Sequence, residues 1–129
     1  MSLRYSKEHI WIKKTENGVL AGISDYACKQ LCKNFVLNLP DEDEEFRAGD
    51  VICDIESCRY FDIVSPVKGK VLRVNEALFD DASPLLDDPY ECWLFELCNV
   101  AYTAPLMSAK EYAEFLNSEC GSDKDFEEI

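Results

Sequence analysis

Apolar and polar positions in this chain change places over short distances, and turn-forming residues separate the apolar bursts. Ile10 to Ile12 and Val19 to Ile23 read as two short strands, with Glu16-Asn17-Gly18 as a tight hairpin turn between them. Ser24 or Asp25 is placed to N-cap a short helix through about Lys33. Phe35-Val36-Leu37-Asn38-Leu39 is an apolar strand stopped by Pro40. Val51 to Glu56 alternates in part toward a polar-aromatic hairpin tip, and Ile63 to Val74 forms the return. Gly69 in that return marks a bulge or a close backbone approach. A loop with one helical turn at Glu76-Ala77-Leu78 follows, then a turn at Asp87-Asp88-Pro89-Tyr90 and a strand over Trp93 to Cys98. Ser108 and Glu111 have the spacing of a capping box, which predicts a last helix through about Leu116. The pattern predicts a mainly β domain with a few short helices.

At 129 residues the chain supports one core, and its 47% hydrophobic content fits a folded domain. Residues 1–118 are expected to form that domain. Residues 119–129, with five acidic residues and one lysine, are expected to fray as a tail. No apolar run approaches the ~20 residues that would span a bilayer. The N-terminus has no charged-then-apolar signal, so a cytoplasmic location is expected, or an organellar matrix if a transit peptide was removed.

The 26 acidic and 13 basic residues leave a formal net charge of -13. That balance argues against nucleic acid and against anionic membranes, and favours steering toward a basic partner. Asp41 to Glu45 is an unbroken acidic run, read as a solvated loop with docking as the alternative.

Seven cysteines stand at 28, 32, 53, 58, 92, 98 and 120. The odd count and missing signal argue for a reducing compartment rather than a disulfide framework. No pair has Cys-x-x-Cys spacing and there is one histidine, so no metal site is expected. Cys28 and Cys32, four apart, are expected on one face of the first helix. Most of the cysteines read as small buried filler.

Several stretches, in order over roughly residues 5 to 116, carry a resemblance to a known family. They are Tyr5-Ser6-Lys7-Glu8-His9-Ile10-Trp11-Ile12, Gly22-Ile23-Ser24-Asp25-Tyr26-Ala27 with Gln30-Leu31, Leu39-Pro40, and Ala48-Gly49-Asp50. Ile55-Glu56-Ser57 and Ser65-Pro66-Val67-Lys68-Gly69-Lys70-Val71 follow. Val74-Asn75-Glu76-Ala77-Leu78, Asp88-Pro89-Tyr90 with Trp93-Leu94, and Leu106-Met107-Ser108-Ala109-Lys110-Glu111-Tyr112 complete the set. Together they resemble the H protein of the glycine cleavage system. The resemblance implies a barrel-sandwich hybrid of the lipoyl/biotinyl-carrier type. Proteins of that kind present one lysine at the tip of a hairpin, usually within Glu-Ser-x-Lys-Ala, and the lysine carries lipoate in amide linkage.

Here Glu56 and Ser57 are present, but counting forward from Glu56 lands on Arg59 and counting back from Pro66 lands on Cys58. The tip is one residue shorter than usual, and no lysine lies between Gly49 and Lys68. Lipoylation needs an amine that can lose its proton, and the arginine guanidinium stays protonated, so Arg59 cannot substitute. Lys68 and Lys70, on the second arm, read as ordinary surface lysines.

The resemblance further implies a carrier or binding protein with no catalytic residue of its own, expected as a monomer. Its partners would be a pyridoxal-phosphate decarboxylase, a folate-dependent aminomethyltransferase, a dihydrolipoyl dehydrogenase and a lipoate ligase. Glu56 and Ser57 would flank the modified position. Three readings follow. In the first, a degenerate homologue carries no cofactor and serves as a docking or regulatory module. In the second, a working carrier holds lipoate at an unexpected lysine. In the third, Cys58 takes a redox role, with Arg59 stabilising its thiolate. His9, which matches a histidine of the family's opening strand, reads as structural. The two tryptophans and Tyr26, Tyr90 and Tyr112 read as packing. Tyr60 and Phe61 beside the tip either anchor a partner or fold back over the strand.

Overall fold

The fold is taken from a computed structural model that describes residues 3–32, 34–58, 60–102 and 106–117. Two antiparallel sheets share one core. The larger contains β1 (Arg4–Tyr5), β2 (Ile10–Lys14), β3 (Gly18–Ile23), β5 (Glu45–Phe46), β8 (Lys68–Val74) and β9 (Phe95–Ala101), in the order β1-β2-β3-β9-β8-β5. The smaller contains β4 (Val36–Asn38), β6 (Val51–Glu56) and β7 (Tyr60–Val64), in the order β4-β6-β7. Three short helices, α1 (Asp25–Lys29), α2 (Ala77–Asp80) and α3 (Pro84–Asp87), lie in the connections. A fourth, α4, covers 109–117.

Ile55 and Ile63 of the smaller sheet join Val19, Ala21, Val71, Phe95 and Leu97 of the larger in a single buried cluster. Burying each of the larger of these side chains contributes about 1.5–3 kcal/mol. The cluster therefore couples the hairpin made by β6 and β7 to the rest of the domain. A second cluster of Tyr5, Trp11 and Tyr112 brings α4 against β1 and β2, with the Tyr5 and Tyr112 rings stacked at 4.5 Å. The capping box starts α4 as expected: the Ser108 N–H donates to Glu111 Oε1 at 2.9 Å, and the Glu111 N–H to Ser108 Oγ at 3.2 Å. Among the described residues, no helix is long and apolar enough to cross a membrane.

The structure departs from five expectations. The β2–β3 turn uses Glu16 and Asn17, because the Thr15 N–H donates to Gly18 O across the loop. Gly18 belongs to β3, where a Cβ would overlap the Leu97 carbonyl, so the glycine serves packing rather than the turn. Helix α1 stops at Lys29, with Ser24 as its N-cap and Gln30 as its C-cap. Cys32 therefore lies past the helix and does not share a face with Cys28, while Lys33 lies outside the described residues.

The return from the tip is not one arm. β7 pairs with β6, while β8 pairs with β9 in the other sheet, and Ser65-Pro66-Val67 forms the corner between them. Pro66 has no N–H to give to a ladder, so pairing lapses there. The last strand also begins later than expected, at Phe95, and continues to Ala101. Gly69 does sit at a register shift, between Lys68 and Lys70, with Leu97 and the Cys98 carbonyl close beside it. The tail expected over 119–129, with Cys120, lies outside the described residues.

Candidate functional site

The exposed end of the smaller sheet is the site that the sequence marks. Glu56 and Tyr60 are the last paired residues of β6 and β7, which leaves Ser57, Cys58 and Arg59 as a three-residue tip. Arg59 lies outside the described residues. Its immediate neighbours define the surroundings.

Glu56 is exposed and held from two sides. Its Oε2 accepts from Asn38 Nδ2 at 2.8 Å, and its Oε1 accepts from the Tyr60 hydroxyl at 3.2 Å. Asn38 Nδ2 also donates to Asp54 Oδ1 at 2.6 Å, so β4 bridges two carboxylates that lie on one face of β6. Asp62 stands opposite Asp54 in the ladder, which adds a further acidic group to this hairpin. The bond to Glu56 raises the Tyr60 phenol above its ordinary pKa, helped by the charge of the same carboxylate.

Ser57 and Cys58 are both engaged by the loop that follows α1. The Cys32 N–H donates to Ser57 Oγ at 2.7 Å. Cys58 and Cys32 form a disulfide, with their Cα atoms 5.7 Å apart. This corrects two expectations: disulfide bonding is present, and Cys58 is a half-cystine rather than a free thiol. Cys58 is exposed and Cys32 half-buried. The sequence carries no spacing signal for the pairing, because the partners are separated by 26 positions and meet only when β6 packs beside the α1–β4 connection.

Four other cysteines are free among the described residues. Burial pushes the Cys28 thiol up, the Cys53 thiol up to about 12 and the Cys92 thiol up to about 11. Only Cys28 and Cys92 are buried as filler among the described cysteines, whereas Cys53 and Cys98 are half-buried, so the reading of most cysteines as buried filler is corrected; Cys28 Sγ donates to the Leu85 carbonyl at 3.3 Å.

The two tip aromatics differ in exposure. Phe61 packs against the core, while Tyr60 is 69% exposed. With Tyr26, Gln30 and Leu31 they line a cavity of about 280 Å³ on the flank of the hairpin. Lys68 and Lys70 stand in β8 of the larger sheet rather than in the β6–β7 hairpin, and Lys70 faces Asp43 at 3.8 Å. No group of three metal-ligating side chains occurs among the described residues.

His9 is built into the scaffold. Its Nδ1 lies 2.7 Å from the Tyr112 hydroxyl, and its ring lies against Tyr26 at 4.7 Å. Burial lowers its pKa from 6.5, partly opposed by Glu8. Trp11 is buried and donates from Nε1 to the Pro89 carbonyl at 3.0 Å, a packing role as expected.

Two antiparallel sheets with an exposed β-hairpin tip and few, short helices have the architecture of the carrier-domain class. A crystal structure of a glycine cleavage system H protein from Mycobacterium marinum superposes with a TM-score of 0.77 at 30% identity, covering 88% of this chain and 94% of that one. The glycine cleavage H-protein family profile matches residues 3–119. The probable glycine cleavage system H protein of Thermococcus kodakarensis is 42% identical over 121 residues, which is 90% of each chain. The glycine cleavage system H protein of Thermoanaerobacter sp. (strain X514) is 42% identical over 120 residues, 91% of this chain and 95% of its own. This chain belongs to the glycine cleavage H-protein family.

Proposed function

We propose that this protein is an H-protein family member that works without a lipoyl group. It serves as a docking or regulatory module for the enzymes of a glycine cleavage type complex. The observation that carries this reading is the missing amine: no lysine occurs between Gly49 and Lys68, and Arg59 stands where the family pattern puts the lipoyl lysine. A guanidinium cannot be acylated in its place. Two further features support it. Glu56 and Ser57, which flank the modified position in the family, are kept. Tyr60 presents an exposed aromatic beside the tip, the kind of side chain that anchors protein interfaces. The partners would be the decarboxylase, the aminomethyltransferase and the dihydrolipoyl dehydrogenase, and the net charge of -13 would steer it toward basic faces on them. The protein would work in the cytoplasm, as a monomer.

The competing reading is a working carrier with lipoate on another lysine. The placement of Lys68 and Lys70 in β8, outside the hairpin, counts against both as substitutes. Intact mass after incubation with lipoate ligase, lipoate and ATP separates the two readings, with a lysine-bearing H protein as the control. The expected result is a mass gain in the control alone. A gain in this chain, mapped to one lysine, would overturn the proposal. Binding to the three enzymes, measured by calorimetry, tests the docking half, and failure to bind any of them would refute it.

A further inference from the structure

We propose that Cys32 and Cys58 are a redox-active pair that undergoes thiol–disulfide exchange with dithiol partners, with Cys58 as the sulfur under attack. This goes beyond the docking role and does not depend on whether the chain carries lipoate.

The argument starts from exposure. Cys58 is exposed at the hairpin tip, while Cys32 is half-buried in the loop behind it. An incoming thiolate therefore reaches Cys58 more readily, and Cys32 becomes the leaving group. Exchange also requires that the pair reclose. The bond from the Cys32 N–H to Ser57 Oγ does not involve either sulfur, so it holds the two loops together when the disulfide is open. Reclosure then stays intramolecular, with the high effective concentration that a short tether provides.

In sequence, each half-cystine is followed by a basic residue, Lys33 after Cys32 and Arg59 after Cys58. Burial pushes the thiols of Cys28, Cys53 and Cys92 upward, which makes these three poor competitors. Exposed disulfides are characteristically the labile ones, whereas structural disulfides resist reduction.

The step balances as follows. A thiolate of the partner dithiol attacks Cys58 Sγ, and the Cys58–Cys32 bond breaks. The electron pair goes to Cys32 Sγ, which leaves as a thiolate and takes a proton from water. The partner's second thiol loses its proton and attacks the partner sulfur in the mixed disulfide, and Cys58 leaves as a thiolate and is protonated. The partner is oxidised to a disulfide, and the protein gains two electrons and two protons. The reverse sequence passes them on.

The test uses the full-length protein and dithiothreitol as the dithiol. Samples equilibrated at graded ratios of reduced to oxidised dithiothreitol are quenched with a thiol-alkylating reagent and read by intact mass and peptide mapping. Circular dichroism monitors the fold in parallel. The expected result is paired labelling of Cys32 and Cys58 in the folded protein, reversed when the ratio is reversed. In addition, Cys58→Ser should capture glutathione from its disulfide at least about tenfold more slowly than Cys32→Ser, because only the latter keeps the exposed sulfur. Opening of the pair only in denaturant would overturn the proposal, as would equal capture by the two variants. Neither result bears on lipoylation, which the ligase experiment reads separately.

Discussion

The Tyr112 hydroxyl lies 2.7 Å from Nδ1 of His9, although 103 positions separate the two residues. The same hydroxyl lies 2.8 Å from Oγ of Ser24, the N-cap of α1. One phenol thus joins α4, the entry to β2 and the start of α1. His9 takes a positive φ of 70°, an uncommon conformation for a non-glycine residue, and this junction holds it there.

Stability should follow from His9 in a defined pH window. Its folded pKa is lowered from 6.5, so the unfolded chain binds the proton more readily. Stability contributed by the neutral ring is therefore present above 6.5 and declines as pH falls through 6.5 toward the lower folded value. Urea midpoints measured from pH 7.5 to about 5 should fall on acidification. His9→Gln should flatten that fall. A variant with the unchanged slope would show that other groups carry it.

The covalent link between Cys32 and Cys58 closes a segment of 26 positions. Its loss, in Cys32→Ser/Cys58→Ser or on reduction, should lower unfolding free energy by about 3 kcal/mol. Urea unfolding with and without reductant measures this. The double variant should show no reductant dependence.

Glu96 is buried in β9 and fully engaged. Its Oε1 accepts from Arg73 Nε at 2.6 Å, and its Oε2 accepts from Thr15 Oγ1 at 2.7 Å. Arg73 is half exposed and also lies over the Trp93 ring at 4.8 Å. Arg73→Ala would leave a buried carboxylate without its cation and should cost about 2 kcal/mol, below the range for a fully buried pair because water reaches the Arg73 side. Glu96→Gln, which removes the charge that needs compensation, should cost less. Equal losses in the two variants would contradict this account.

Tyr60→Ala should leave the fold within about 0.5 kcal/mol of wild type, because most of the side chain faces solvent. If the tip docks on the glycine cleavage enzymes, the same change should weaken that binding by about tenfold or more. Thermal melting and calorimetry together separate the two effects.

Local pattern was legible in the sequence where neighbours decide the structure. Short apolar runs marked β2 and β3, Ser24 or Asp25 marked the start of α1, and the Ser108/Glu111 spacing marked α4. Gly69 was read correctly because a glycine within a strand has few other uses. The resemblance supplied the sheet arrangement that periodicity alone does not specify. What was missed depends on contacts between distant segments. The Asn17-Gly18 pair predicts a turn, yet the smallness of Gly18 answers to Leu97 across the sheet. The change of sheet at Ser65-Pro66-Val67 has a local signal, the missing N–H of Pro66, but the apolar pattern on either side of it continues as if through one arm. The i, i+4 spacing of Cys28 and Cys32 predicts a shared helix face, but α1 ends before Cys32. Its bond to Cys58 follows from the packing of β6 beside the α1–β4 connection, which no spacing rule encodes.

The acidic stretch from Asp41 to Glu44 lies between the two half-cystines in the chain, so it sits within a covalent ring. A backbone cut there would not separate the protein. The N-terminal piece, which carries β1 to β4, would stay attached to the hairpin and everything after it. The fragments would migrate as one species until a reductant opened the ring. This exposed acidic loop can therefore be nicked while the molecule keeps its parts, and whether a nick matters would be set by the thiol balance around it.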